Sequence, residues 1–97
     1  MENHVLISSK GGISMAVKGK ELKFEIINHI GVVSESATSG WKTEVNRISW
    51  DGNEPKYDIR IWNPEHTKMG KGITLTEEEL ISLTNILVKE VEFLKEE

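Results

Sequence analysis

The chain has 97 residues, no cysteine and a net charge of −4, with 37% hydrophobic and 29% charged residues. That length fits one domain around one core, and it excludes disulfides, thiolate metal sites and cysteine nucleophiles. The one apolar run near the N-terminus, Val5-Leu6-Ile7, is far short of a signal core or a membrane span, so a cytoplasmic protein is expected.

The acidity is local. Residues 77–97 carry seven glutamates against two lysines, while the rest of the chain holds ten cations against nine anions. A phosphate-binding surface therefore requires that charges be sorted between faces, since a typical nucleic-acid binder is basic overall.

Residues 1–20 are rich in Gly, Ser and Lys around Ser8-Ser9-Lys10-Gly11-Gly12, and read either as an arm or as a small hairpin turning at the glycines. They stand apart from a domain spanning 21–97. From Lys23 a strand of about ten residues is predicted. In it Phe24, Ile26, Ile30 and Val32 share one parity and Ile27 and Val33 the other, while Gly31 suggests a bulge or bend. Ser34–Gly40 is a loop by composition. Trp41–Trp50 is a second strand, closed by the turn signal Asp51-Gly52-Asn53-Glu54-Pro55.

Lys56-Tyr57-Asp58-Ile59-Arg60-Ile61-Trp62 alternates as a third strand; Asn63–Gly70 reads as a loop, and Lys71–Leu75 as a short fourth strand. Thr76 then opens a helix of about 20 residues, roughly 30 Å long. Thr76 and Glu79 have capping-box spacing, and Leu75 and Leu80 that of a hydrophobic staple. Along the helix Leu80, Leu83, Leu87, Val91 and Leu94 form a heptad-like stripe flanked by further apolar residues. So wide an apolar sector suits a helix that packs on its own sheet and on a partner helix.

Catalytic and metal signatures are missing from the sequence. His4, His29 and His66 have no ligand spacing, and there is no glycine-rich phosphate loop, nucleophile elbow or paired-carboxylate motif. Neither an enzyme nor a cofactor is expected. Instead Trp41, Trp50, Tyr57 and Trp62 are interleaved with Lys42, Arg47, Lys56, Arg60, Lys68 and Lys71. Flat side chains stack on unpaired bases while cations follow the phosphates, and this mixture suits a single strand. A tryptophan in a small domain is more often core than platform. By parity Tyr57 joins Ile59 and Ile61 as a core candidate, and Trp62 joins Asp58 and Arg60 on the polar face as the best exposed candidate. Strict alternation sets Arg47 and Trp50 on opposite faces unless a bulge intervenes.

The strings KYDIRIW, GKGITLT and EEL, in an order of four strands and one helix, resemble the positive cofactor four family of transcriptional coactivators, in particular its small bacterial YdbC-like branch. The resemblance covers roughly residues 22–95. It implies an α+β fold, a curved four-stranded antiparallel β-sheet followed by one long C-terminal α-helix. It also implies a homodimer formed through the helices, to which Leu83, Leu87, Val91 and Leu94 would contribute. The implied ligand is single-stranded DNA, bound with little sequence preference, with RNA as an alternative ligand. By position the family's stacking aromatics fall on Trp50 and Trp62, its arginine on Arg60 and its lysine on Lys71. Trp41, Lys42, Arg47, Lys56 and Lys68 extend the expected track. The chain departs from the family at Asp51 and Asn53, where lysines are usual. The expected function is single-strand binding in transcription or DNA replication and repair. The alternative is a protein-interaction module acting through the acidic helix and dimer surface.

Overall fold

The computed structural model describes the backbone of residues 4–9, 12–17 and 20–96, and the side chains of residues 23–96. Its elements are β1 (His4–Ser9), β2 (Gly12–Val17), β3 (Lys20–Glu35), β4 (Lys42–Trp50), β5 (Lys56–Trp62), β6 (Lys68–Leu75) and α1 (Glu77–Lys95). The antiparallel sheet β3–β4–β5–β6 followed by one helix is the expected α+β architecture. Two strands are added to it. β1 pairs with β2 and β2 with β3, each over five positions, and β1 meets β6 at two, His4 opposite Met69 and Val5 opposite Lys68. The strands thus follow one another around a closed barrel. The predicted turn residues Lys10 and Gly11 lie outside the described residues.

The expected ten-residue strand is a 16-residue β3. Its register with β4 shifts between Ile26 and Asn28, between His29 and Gly31, and between Val32 and Ser34. Ile27, Ile30 and Val33 are therefore extra residues, and each bulge resets the alternation. This is why simple parity mixes the faces of β3: Phe24, Ile26, His29 and Val32 stand opposite Trp50, Ile48, Asn46 and Glu44. Bulges also bend and twist a strand, which lets one long strand curl with the sheet.

The turn after β4 carries two successive left-handed residues, Asp51 (φ 51°) and Gly52 (φ 74°), as a type I′ turn requires. The Asn53 N–H donates to the Trp50 carbonyl at 2.9 Å. Asp51 ties this turn to β3, its N–H donating to the Lys23 carbonyl (2.6 Å) and its carboxylate accepting from the Lys23 N–H (3.1 Å). Asp51 thus holds the turn against the neighbouring strand, while Asn53 closes the turn itself.

The fourth strand starts at Lys68, earlier than expected, because Asn63 closes the preceding loop. Its side-chain oxygen accepts from the N–H groups of both Thr67 and Lys68 at 2.8 Å, and its amide donates to the Thr67 hydroxyl at 2.6 Å. That leaves a loop of 63–67 only. Thr76 caps α1 in a full capping box: its hydroxyl accepts from the Glu79 N–H, and the Glu79 carboxylate accepts from the Thr76 N–H. α1 rests against β5 and β6, yet none of its residues is buried. The core lies inside the barrel, built from Phe24, Ile48, Trp62 and Met69 with Ile26 and Trp50 packed against it.

Candidate nucleic-acid interface

Alternation in β4 and β5 sorts the predicted site residues onto two faces. Their mutual register is unbroken from Lys42 opposite Trp62 to Ile48 opposite Lys56. Glu44, Asn46, Ile48 and Trp50 consequently point inward with Asp58, Arg60 and Trp62. Val45 and Arg47 take the other face with Tyr57, Ile59 and Ile61.

The inward face is a chain of flat groups. The ring centroids of Trp50 and Phe24 are 5.4 Å apart, those of Phe24 and Trp62 5.5 Å, and those of Trp62 and His66 5.3 Å, all tilted. The Arg60 guanidinium lies over the Trp50 ring at 4.9 Å, within cation–π range. Asp58 fixes it there through a two-pronged ion pair, Nε to Oδ2 and Nη2 to Oδ1, both at 2.7 Å. The Thr74 hydroxyl donates to the same carboxylate at 3.2 Å. Gly72, opposite Arg60 in β6, leaves the room this requires: a Cβ there would collide with the Arg60 side chain and the Ile59 carbonyl. The indole N–H groups of Trp50 and Trp62 are buried with no hydrogen-bond partner among the described residues.

Beside the rings lies a polar cluster. Glu44 is buried, and both its oxygens face Nε2 of His66 at 2.9 and 3.0 Å. The Asn46 amide donates to Glu44 at 3.2 Å, and the Asn46 carbonyl oxygen is 2.7 Å from Nδ1 of His29. Burial pushes the Glu44 carboxyl up. Hydrogen bonds from His66 and Asn46, with the charges of His66 and His29, outweigh that and leave it below the usual carboxylate range. His66 reaches this position from a left-handed backbone conformation (φ 56°) in the Asn63 loop.

Several expected placements change. Trp62, read as the best exposed aromatic, is fully buried, because the face it shares with Asp58 and Arg60 is the inside of the barrel. Tyr57, Ile59 and Ile61, read as the core face, are only partly buried on the outside. Arg47 stays on that outer face, since the β3 bulges leave the β4–β5 register intact. Arg60 is not a free cation, being held by Asp58.

The remaining candidates form a rim. Lys42 is half-buried and 3.7 Å from Glu35; Lys56, Lys68 and Lys71 are exposed, with Lys71 beside the register shift of β6. Trp41 is half-buried in the 36–41 loop, its N–H donating to the Ser39 hydroxyl at 3.2 Å. Sequence reasoning missed Phe24, His29, Glu44, Asn46 and His66. Only the three-residue spacing of β3, which follows from its bulges, brings His29 opposite Asn46.

The family profile described as Transcriptional Coactivator p15 (PC4) matches residues 37–86, from the loop before β4 to the middle of α1. This chain belongs to that family. The matched stretch of the p15 (PC4) family contains Trp50, Arg60, Trp62, Gly72 and the helix cap. An uncharacterized protein of Treponema pallidum is 42% identical over 71 residues, covering 73% of this chain and 82% of that protein. β1 and β2 precede the part matched by the p15 (PC4) profile.

Proposed function

We propose that the protein is a homodimer that binds single-stranded DNA on the inward face of β3–β6, with little sequence preference and in the service of transcription or DNA replication and repair. The observation that carries this reading is the run Trp50–Phe24–Trp62–His66 with Arg60 laid on Trp50. Flat rings accept any base, and each stacked base contributes about 1–3 kcal/mol. The two unpartnered indole N–H groups are donors suited to phosphate or base oxygens. Lys42, Lys68 and Lys71 on the rim supply cations. RNA offers the same bases and phosphates and is the natural competitor to test.

The homodimer rests on α1. Ile81, Ile86, Leu87, Val88, Val91, Phe93 and Leu94 are all exposed in the single chain. An apolar surface of that extent on a soluble helix calls for a cover, and a second copy supplies an identical one.

Fluorescence anisotropy tests the ligand. An unstructured oligonucleotide should bind more tightly than duplex, with affinity falling with salt at a slope of about −0.7 per phosphate neutralised. Equal binding of both at low salt would remove this reading. The exposed helix face also fits the second reading, a protein-interaction module. Arg60→Ala separates the two: function that survives loss of DNA binding would favour the module.

A further inference from the structure

The face proposed to bind DNA is closed off by the chain's own N-terminal strands, and the closure has a weak seam. β2 pairs with β3 up to Phe24, whose neighbour on the other side is Trp50. β1 reaches β6 at Met69, whose neighbour on the other side is Trp62. The β1–β2 pair therefore bridges the two edges of the β3–β6 sheet, from the strand beside Trp50 to the strand beside Trp62. It converts an open curved face into a barrel interior. The consequence is measurable: Trp62, Ile48, Asn46 and Asp58 have no accessible surface. A single strand cannot reach Trp62 or Phe24 while the barrel is shut, and half-buried Trp50 offers only part of its ring.

Two features suit a shut form that can also open. The β1–β6 seam has two paired positions, His4–Met69 and Val5–Lys68, where β1–β2 and β2–β3 have five each. Strand separation at the seam breaks the shortest ladder in the barrel. The interior is also unfinished as a core. It encloses the Asp58–Arg60 ion pair and two indole N–H groups lacking an acceptor among the described residues, and native interiors rarely leave buried donors unpaired.

We infer that the β1–β2 hairpin is an autoinhibitory strap, which parts from β6 at the His4–Met69 and Val5–Lys68 seam to admit a single strand to the Trp50–Trp62 face. This rests on the DNA reading above and adds its regulation. A ligand that binds only the open form has its apparent affinity reduced by the fraction of molecules that are open. Whatever stabilises the seam therefore weakens DNA binding.

The absence of native cysteine allows a clean test in the full chain. Val5 and Lys68 are paired across the seam, and paired positions in an antiparallel ladder are about 4.5–5.5 Å apart, a separation a disulfide can span. In the double variant Val5→Cys, Lys68→Cys, the oxidised protein should bind an unstructured oligonucleotide at least about tenfold more weakly than the same protein reduced. Comparing redox states of one molecule cancels the loss of the Lys68 charge. Equal affinity in both states would overturn the strap, and tighter binding when oxidised would make the hairpin a clamp instead.

Hydrogen exchange on the unmodified chain gives a second measurement. Adding oligonucleotide should lower amide protection in His4–Ser9 while raising it in β4 and β5. Protection of His4–Ser9 that stays constant or rises also overturns the strap. If the unmodified chain binds no single strand at all, the DNA reading itself falls, a different result from either of these.

Discussion

Arg60 owes its position to two neighbours, a carboxylate that holds it and a glycine that makes room for it. Asp58 is fully buried, and its pairing with Arg60 is bidentate. Removing one member of such a pair strands the other charge, at a cost of about 3–5 kcal/mol. Asp58→Ala should therefore lower the unfolding free energy by about that amount, read as a lower urea midpoint, and loosen the guanidinium from Trp50. Gly72→Ala puts a methyl where the Arg60 stem already lies, so it too should destabilise the fold and weaken DNA binding. Wild-type stability in Gly72→Ala would show that Arg60 does not need this crossing.

Glu44 makes the fold sensitive to acid. Its carboxyl is lowered in the folded protein relative to its ordinary value of 4.5. The stabilisation this represents is fully present above that value and is lost as pH falls through the lower folded one. Chemical denaturation from pH 6 to pH 3 should show stability falling with acidification, with a shallower fall in Glu44→Gln. Equal slopes would contradict the role given to the His66 and Asn46 hydrogen bonds. Of this residue-scale detail the sequence made Arg60, Trp50 and Trp62 legible as a group. It could not reveal that Trp62 is core, because alternation says which residues share a face and not which face is enclosed.

At the scale of elements, α1 and β3 mark the two extremes of legibility. The helix start was readable because capping is local: Thr76 and Glu79 satisfy each other within one turn. Thr76→Ala should cost about 1 kcal/mol, read as a small drop in thermal midpoint with DNA affinity unchanged. β3 was not readable in the same way. Its bulges exist only in relation to β4, and each one moves the rest of the strand to the other face. The same limit hid His29 from the site, while His66 reaches Glu44 from the left-handed turn of the Asn63 loop. For the helix face, Leu87 and Val91 are both about half exposed, at 49% and 45%, and lie on one stripe. The double variant Leu87→Glu, Val91→Glu should shift sedimentation from dimer to monomer while α1 stays helical by circular dichroism. A wild-type chain that sediments as a monomer at the same concentrations would contradict the dimer.

As a whole molecule, this chain follows the sheet β3–β6 with one helix and closes the ring-lined face of that sheet with two further strands, β1 and β2. The overall architecture was legible from strand order and the helix cap. The enclosure was not, since it depends on which strand edge the first twenty residues find, a long-range choice that no local pattern records. The central claim is that the enclosed rings are a surface for unpaired bases. Intrinsic tryptophan emission tests it most directly, because Trp50 and Trp62 both lie on that face. Titration with an unstructured single-stranded oligonucleotide at low salt should quench this emission to a saturable limit, and duplex of the same length should quench it far less. Emission that single strands leave unchanged, or that duplex quenches equally, would contradict the account.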